Sequence, residues 1–460
     1  MPRLSALFAG ALIAVMSMPQ SINLLGLAGG ELIISLAPLL LTCGFLFGLK
    51  ASLQQFGQFH QILGTTNRYL LVFILLATVS VVWSEFALVT TYRLYRLYAL
   101  FFVCIYFSIN SWDPHKFSST LQGALLFLTF SSIIFFFLSP IDAVQESLIA
   151  GHVYPELVDA WRGVTLHKNT LGAVASTAVI ICFHTLYTRS GSRFFASIGL
   201  ICGLICLIKA RSSTSLFAAF FAIALIALIL KSPSIEKRRT IRVYSFILVV
   251  FFLIYSLGVL NIVPGLAAIV EPLVALTGKD MTFSGRTVIW GIMKDEISKH
   301  PFLGIGYAAF WLGNDPLSPS AIFKIRMYID PGEAHNGYLD VINELGFIGA
   351  IALIGYLFTF IRQAVQLMAF DRKKPALFIA LLFAELIANM SEAHWWNLAN
   401  VNFLIMTLAT FDLSRSLLDA RRRKINSNAR HTTQSDTIRP GLSPGDRLNV
   451  RTIAPQRKKQ

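Results

Sequence analysis

Charged residues are scarce in this sequence. Asp, Glu, Lys and Arg make up 14% of its 460 residues, whereas soluble domains carry about 25%. Apolar residues make up 55%, and the mean hydropathy is +0.64. This composition argues against an ordinary soluble enzyme and predicts an all-α polytopic membrane protein.

Cysteine frameworks, metal-ligand spacings and internal repeats are also missing. The five cysteines all lie in apolar runs, and none is spaced with histidines as a zinc site would require. We therefore expect packing thiols, no metal and no cofactor. Transporters often show internal repeats, and we find none, which disfavours an exporter.

Long apolar runs are abundant. A spanning helix needs about 20 mostly apolar residues. The sequence predicts about twelve spans. They lie near residues 4–18, 31–49, 69–83, 94–109, 121–138, 170–186, 195–208, 215–230, 243–260, 338–360, 376–390 and 401–411. A large loop at about 261–336 precedes the tenth span.

Basic residues in the short connections predict the orientation. They place both termini in the cytoplasm and the large loop on the opposite side of the membrane. We interpret residues 1–416 as the transmembrane domain. Residues 421–460 hold eleven Lys and Arg against two acids, so we interpret 417–460 as a basic, disordered cytoplasmic tail. Attraction to anionic headgroups explains such a tail better than nucleic-acid binding does.

Several cations break this charge rule by falling at the predicted outer face. Ionisable residues near a membrane are costly, so a convergent set of them predicts an anionic ligand. Arginine offers a planar fork for phosphate oxygens, although single cations also snorkel to headgroups. The set is Arg93, Arg96, Arg162, Lys168, Lys209, Arg211 and Arg286.

Three loops carry the candidate phosphate ligands. WRGVTLHKNTLG places Arg162, His167 and Lys168 at a helix N-terminus, where backbone amides favour anions. KARSSTS places Arg211 among hydroxyls, which are also helix caps. In the large loop, Arg286 precedes an amphipathic helix at 287–298 with Trp290 as a predicted interface anchor.

The segment EAHNGYLDVINELGFIG marks where the large loop meets an apolar helix. His335 lies at this junction, where a histidine can exchange protons near neutral pH. Glu333 is a candidate to orient it, and Asn336 and Glu344 are candidate substrate contacts. His394, in SEAHWWN, is interpreted as part of an interfacial aromatic girdle.

Three segments resemble the signature segments of the O-antigen ligase and polysaccharide polymerase superfamily, most of all its ExoQ-type exopolysaccharide polymerases. They are RGVTLHKNTLG, SGRTVIWGIMKDEISKHPFLGIGYAAF and EAHNGYLDVINELGFIG. The resemblance implies about twelve helices, a large periplasmic loop and a metal-independent enzyme. Arg286 and His335 match the family's loop arginine and histidine. The family's basic residue near Ser-x-Thr falls at Ser213 here, with Arg211 two residues earlier.

The resemblance implies transfer of an oligosaccharide from undecaprenyl pyrophosphate to the hydroxyl of an acceptor glycan. In this hypothesis Arg286 and Arg211 hold the pyrophosphate, and His335 is the general base. A flippase and a chain-length regulator are implied as partners. The alternatives are a ligase that moves finished glycan to lipid A-core or protein, an exporter of lipid-linked oligosaccharide, and a non-catalytic scaffold.

Overall fold

A chain segment in a bilayer must satisfy its own backbone hydrogen bonds, so long apolar runs form helices. The computed structural model has this character and is almost entirely helical. It describes residues 2–17, 29–110, 115–149, 152–153, 157–231, 247, 250, 286–313, 315, 317–328, 331–398 and 400–437.

Fifteen helices and one short hairpin are present in these described ranges. The hairpin pairs β1 (Leu148–Ile149) with β2 (His152–Val153), antiparallel. The helices are α1 (Pro2–Ser17), α2 (Gly29–Gln54), α3 (Phe56–Thr65), α4 (Arg68–Val79), α5 (Ala87–Ile109), α6 (Lys116–Leu138), α7 (Pro140–Ala143), α8 (Lys168–Thr188), α9 (Arg193–Lys209), α10 (Ser213–Lys231), α11 (Arg286–Lys299), α12 (Ala321–Met327), α13 (Gly337–Leu367), α14 (Lys373–Ala388) and α15 (Val401–Thr437).

Every predicted span coincides with a helix, except that 243–260 lies outside the described residues. Six helices are long and apolar enough to cross a membrane, or seven if α2 and α3 form one bent span. This number falls short of the predicted twelve because several apolar helices are short. Helices α9 and α14 have 17 and 16 residues, against the roughly 20 of a full span.

The charged connections separate into two ends of the helical bundle. At one end, which we call the site end, the connections between helices contact each other. The Trp83 indole donates to the Leu303 carbonyl, and Ser391 Oγ donates to Thr214 Oγ1 at 3.0 Å. At the other end, Lys373 donates to the Thr188 carbonyl, and Lys374 pairs with Asp412 at 2.8 Å. These contacts group the connections by the end of the bundle at which they lie.

The described part of the large loop folds into a small lobe at the site end. We call residues 286–328 the cap lobe. Its apolar side chains form a core separate from that of the bundle, containing Ile289, Trp290, Met293, Phe310 and Phe323. The amphipathic helix predicted at 287–298 is α11. Trp290 is not an interface anchor, because it is 2% exposed and donates to the Ala334 carbonyl.

Helix α13 is interrupted where the cap lobe joins it. Gly346 has φ 64°, which breaks the helical hydrogen-bond ladder. The carbonyls of Asn343 and Glu344 accept from the amides of Ile305 and Gly306, both at 3.0 Å. A Cβ at Gly346 would lie 2.1 Å from the Phe302 carbonyl oxygen. The segments ELG (344–346) and LGIG (303–306) therefore form the two sides of one backbone junction.

The last helix extends further than the predicted domain boundary at residue 416. Helix α15 continues to Thr437, so the first half of the predicted disordered tail is helical. Arg415 pairs with Asp419 one turn later, and Arg421 donates to Gln366 of α13. These contacts hold the segment against the bundle. Residues 438–460 lie outside the described residues.

Candidate active site

The HNGY segment is fixed by the connection that follows α14. The Gly337 amide donates to the carbonyls of Asn389 and Glu392, both at 3.0 Å. A Cβ at Gly337 would lie 2.0 Å from Asn389 Oδ1, so only glycine fits. That oxygen in turn accepts from the amides of His394 and Trp395. The start of α13 and the SEAHWWN segment are thus one unit.

His335 adopts a backbone conformation that non-glycine residues rarely use. Its φ is 48°, which costs of the order of 1 kcal/mol and persists where the surroundings demand it. This geometry directs Nδ1 to two carboxylates, 3.0 Å from Glu333 Oε1 and 3.5 Å from Glu392 Oε2. The predicted Glu333–His335 partnership is present.

Glu392 is the centre of the site. Its Oε1 accepts from Arg286 Nη2 at 2.9 Å and from Asn169 Nδ2 at 2.6 Å. The side chain is only 15% exposed, so the pair with Arg286 is largely shielded from water. One carboxylate therefore joins the start of α8, the start of α11 and the residue that precedes α13. We call Asn169, Arg286, Glu333, His335 and Glu392 the Glu392 cluster.

The cluster changes the protonation of its own members. Burial lowers the pKa of His335, but the contacts and charges of Glu333 and Glu392 outweigh it and raise the pKa to about 10. Burial raises the pKa of Glu392, yet His335, Arg286 and His167 bring it well below its usual range. At neutral pH the cluster therefore contains an imidazolium and a carboxylate.

His167 lies at the edge of the cluster and, unlike His335, is neutral. Burial lowers its pKa to about 4, helped by the positive charges of His335, Lys168 and Arg286 and opposed by Glu392. Its Nδ1 accepts from the Asn169 amide at 3.2 Å, which caps α8. His167 is therefore a neutral capping residue that holds Asn169 beside Glu392.

Three other predicted cations lie around the cluster with different contacts. Arg162 Nε donates to the Asp142 carbonyl, and Arg211 Nη1 donates to the Val158 carbonyl, both at 2.7 Å. Arg211 has φ 49°, and its carbonyl accepts from Lys168 Nζ at 3.5 Å. In the residues that the structure describes, these contacts tie the connection between α6 and α8 to the start of α10 at the site end.

Two predicted substrate contacts have structural roles instead. Asn336 caps α13, with Oδ1 accepting from the amides of Tyr338 and Leu339. Glu344 lies beside the Ala308 backbone and the charge of Arg93. Arg93 itself donates to the carbonyls of Ala308 and Trp311. Glu344 and Arg93 thus fasten the cap lobe rather than joining the cluster.

Sequence reasoning missed Glu392 and assigned its neighbour His394 wrongly. His394 is 3% exposed, and its Nδ1 lies 2.8 Å from Glu385 Oε2. It is thus a buried paired residue, not part of an interfacial girdle. The signal for Glu392 was available, because it is an acid in a connection assigned to the same end as the excess cations.

A metal ion is a further possibility to test against the geometry. Ligand atoms of Glu333, His335 and Glu392 lie within 4.8 Å of one another, a donor set that divalent cations accept. Arg286 already neutralises Glu392, and the raised pKa keeps His335 protonated. An imidazole must lose its proton to ligate a metal, so a cation bound here would have to displace the proton of His335 and compete with Arg286 for Glu392.

The chemistry that this arrangement permits is anion binding next to a proton acceptor. Arg286 and Asn169 donate to the Glu392 carboxylate, and imidazolium His335 lies 3.5 Å from it and 3.0 Å from Glu333, so Arg286, Asn169 and His335 form a preorganised anion site. Glu333 contacts His335 and is 24% exposed, so it is the more accessible of the two carboxylates.

Comparisons with known proteins agree with this picture. Residues 198–354 match the family model described as O-antigen ligase, a range that includes Arg211, Arg286 and His335. The chain is 26% identical over 343 residues to the exopolysaccharide production protein ExoQ of Rhizobium meliloti (strain 1021), covering 71% of this chain and 73% of that protein. The chain is therefore a helical membrane protein whose residues 198–354, which contain two of the three signature segments, are similar to the O-antigen ligase family.

Proposed function

We propose that this protein polymerises a surface polysaccharide. It transfers an oligosaccharide from undecaprenyl pyrophosphate to a hydroxyl of an acceptor glycan, at the periplasmic face of a bacterial inner membrane. The observation that carries the proposal is the convergence of Arg286 and Asn169 on the largely shielded Glu392 carboxylate, with protonated His335 3.5 Å away. A flippase and a chain-length regulator would supply the donor and limit the product.

The pyrophosphate competes with Glu392 for the same donors. Arginine and imidazolium make short, charge-assisted hydrogen bonds to phosphate oxygens. Once these donors hold the pyrophosphate, they stabilise the negative charge that develops as it leaves. Glu392 therefore serves as an internal anion that keeps the donors aligned until substrate arrives.

The acceptor hydroxyl loses its proton as its oxygen attacks the anomeric carbon. The bond from that carbon to the phosphate oxygen breaks, and undecaprenyl pyrophosphate leaves with the electron pair. A general base must be unprotonated, and the raised pKa of His335 disfavours that role before substrate binds. Glu333, ion-paired to His335 and accessible, accepts the proton in our proposal. Direct displacement inverts the anomeric centre.

The similarity to an exopolysaccharide production protein favours a polymerase over a ligase. A ligase would use the same anion site with a different acceptor. An exporter would need no proton acceptor beside the site. Metal independence is part of the proposal, because the cluster carries its own positive charges.

The test uses a strain that lacks this protein, complemented with wild type, Arg286→Ala or Arg326→Ala. Arg326 is a matched control, because it pairs with Asp295 on the exposed surface of the cap lobe. We expect Arg286→Ala to insert normally, to accumulate single repeat units on lipid and to make no long polymer, while Arg326→Ala matches wild type.

Other outcomes separate the alternatives. Long polymer that stays on lipid in the deletion strain indicates a ligase. Lipid-linked units trapped on the cytoplasmic face indicate an exporter. Full-length polymer from correctly inserted Arg286→Ala overturns the proposal.

A further inference from the structure

A cleft lies at the end of α11 that is farther from the Glu392 cluster. It encloses about 250 Å³ between the cap lobe, the start of α5 and the first half of α13. Its polar lining comes from Glu85, Glu296, Lys299, His300 and Asn343. Ile305 and Phe310 form an apolar floor. None of these residues takes part in the chemistry proposed above.

The polar groups of this cleft are mostly held in place by each other. Glu296 accepts from Lys299 at 2.7 Å, and Glu85 lies 3.7 Å from His300 Nε2. Asn343 differs, because it is 4% exposed and, among the described residues, its Nδ2 has no hydrogen-bond partner. That nitrogen is itself buried, so the polar groups that a ligand can reach are those of Glu85, Glu296, Lys299 and His300.

Aromatic surface continues from the cleft. A neighbouring hollow of about 260 Å³ shares Glu85, His300 and Ile305 with it and is also lined by Trp83 and Phe302. Phe302 is 69% exposed. Aromatic faces beside carboxylate, amide and imidazole groups suit a ligand that has both C–H faces and many hydroxyls.

The charge of the cleft disfavours the pyrophosphate part of the lipid-linked sugar donor. Glu85 and Glu296 face Lys299 and a solvent-exposed histidine, so the lining is not cationic. Pyrophosphate and lipid phosphate favour concentrated positive charge. A neutral, polyhydroxylated chain meets no such penalty, because carboxylates accept and amides donate to hydroxyls.

Helix α11 sets the distance between the two sites. Arg286 at its first position belongs to the Glu392 cluster, and Lys299 at its last position lines the cleft. At 1.5 Å per residue the two positions are about 20 Å apart along the axis. A ligand that reaches both must be an extended chain of several sugar residues.

From these observations we propose that the cleft binds the part of the acceptor glycan several residues away from its reacting end. The inference rests on the proposed function, because it takes the acceptor to be a growing polysaccharide. Hydrogen bonds to Glu85 and Glu296 and stacking on Trp83 and Phe302 would hold the chain. Longer acceptors would then be retained between rounds of transfer.

The experiment measures glycan binding to the full chain in lipid nanodiscs. The probe is a fluorescently end-labelled oligosaccharide of four repeat units, hydrolysed from the polysaccharide that the host strain secretes. The variants are Glu296→Gln, and Phe302→Ala at the exposed aromatic face. Asp295→Asn is the matched control for Glu296→Gln, because it also removes one negative charge, one residue away, but at a side chain that pairs with Arg326 at the exposed surface.

We expect fluorescence anisotropy to show at least about tenfold weaker binding for both cleft variants, and shorter polymer in cells, with the control unchanged. Affinity within twofold of wild type in correctly folded cleft variants overturns the proposal. Displacement of the probe by inorganic phosphate also overturns it, because the site would then be an anion site.

These results are distinguishable from failure of the proposed function. If Arg286→Ala abolishes polymer and the cleft variants bind glycan as wild type does, only the cleft inference fails. If Arg286→Ala leaves polymer intact, the proposed function fails whatever the cleft variants show.

Discussion

Replacing Glu392 with glutamine tests the electrostatic reasoning behind the site. The amide keeps the size of the side chain and one acceptor for Arg286, but it removes the negative charge. An opposite charge within this distance changes a pKa by roughly one to three units. We therefore expect the pKa of His335 to fall from about 10 to roughly 8 in Glu392→Gln.

Glu392→Gln should also lower the free energy of unfolding. Each pKa unit corresponds to about 1.4 kcal/mol, so the lost His335 interaction amounts to about 3 kcal/mol. Removing one partner of a buried ion pair costs a similar 3–5 kcal/mol or so. The Asp295–Arg326 pair is 62% and 48% exposed, so Asp295→Asn should cost less than about 1 kcal/mol.

The pH dependence of this cost follows from the two pKa directions. The raised pKa of His335 contributes stability that is complete below about 6.5 and is lost as the pH rises through about 10. The lowered pKa of Glu392 contributes stability that is present above about 4.5 and is lost at more acidic pH. The difference between wild type and Glu392→Gln should therefore be larger at pH 6 than at pH 9.5.

Two measurements check this prediction. Carbon-13 labelling of histidine Cε1 reports the pKa, with His335→Gln identifying the resonance, and thermal unfolding in detergent at both pH values reports the stability. A His335 pKa that stays near 10 in Glu392→Gln would show that Glu392 is not its main counter-ion. An unfolding difference that grows with pH would refute the assigned charges.

Three further predictions follow from the same structure. If imidazolium His335 holds the pyrophosphate, the rate of glycan transfer in membranes should fall as the pH rises through the His335 pKa. A rate that falls below neutral pH would instead indicate that neutral His335 is the general base. Incubation with EDTA should leave polymerisation in washed membranes unchanged, and recovery of a lost rate on adding a divalent cation would show that Glu333, His335 and Glu392 bind metal. Gly346→Ala should destabilise the protein by about 3 kcal/mol or more, because Gly346 has φ 64° and an added Cβ would lie 2.1 Å from the Phe302 carbonyl oxygen. Thermal unfolding of this variant that matches wild type would contradict the described junction.

The helices and the general position of the site could be predicted from the sequence. Apolar runs and helical spacing are local signals, so both ends of α11 and the start of the helix that follows His335 were found to within one residue, whereas that helix ends at Leu367 rather than at 360. Excess basic residues in outer connections located Arg286 at the site end. His335 was found because a titratable group stood where a polar loop enters an apolar helix.

The partners of these residues could not be predicted, because packing decides them. Glu392 reaches Arg286 only because the connection after α14 lies against Gly337. Arg211 and Arg162 follow the same charge pattern as Arg286, yet both donate to backbone carbonyls of the connection between α6 and α8. Charge in the sequence therefore indicates the end of the bundle but not the members of a cluster.

The junction at Gly346 has a consequence for recombination between related proteins. The amides of Ile305 and Gly306 bond to carbonyls of α13, and the amide of Phe347 bonds back to the Pro301 carbonyl at 2.8 Å. A crossover that falls between residues 301 and 347 would join two halves of this junction from different parents. Chimaeras that exchange the cap lobe should therefore retain function only when the lobe and the first turns of α13 are inherited together.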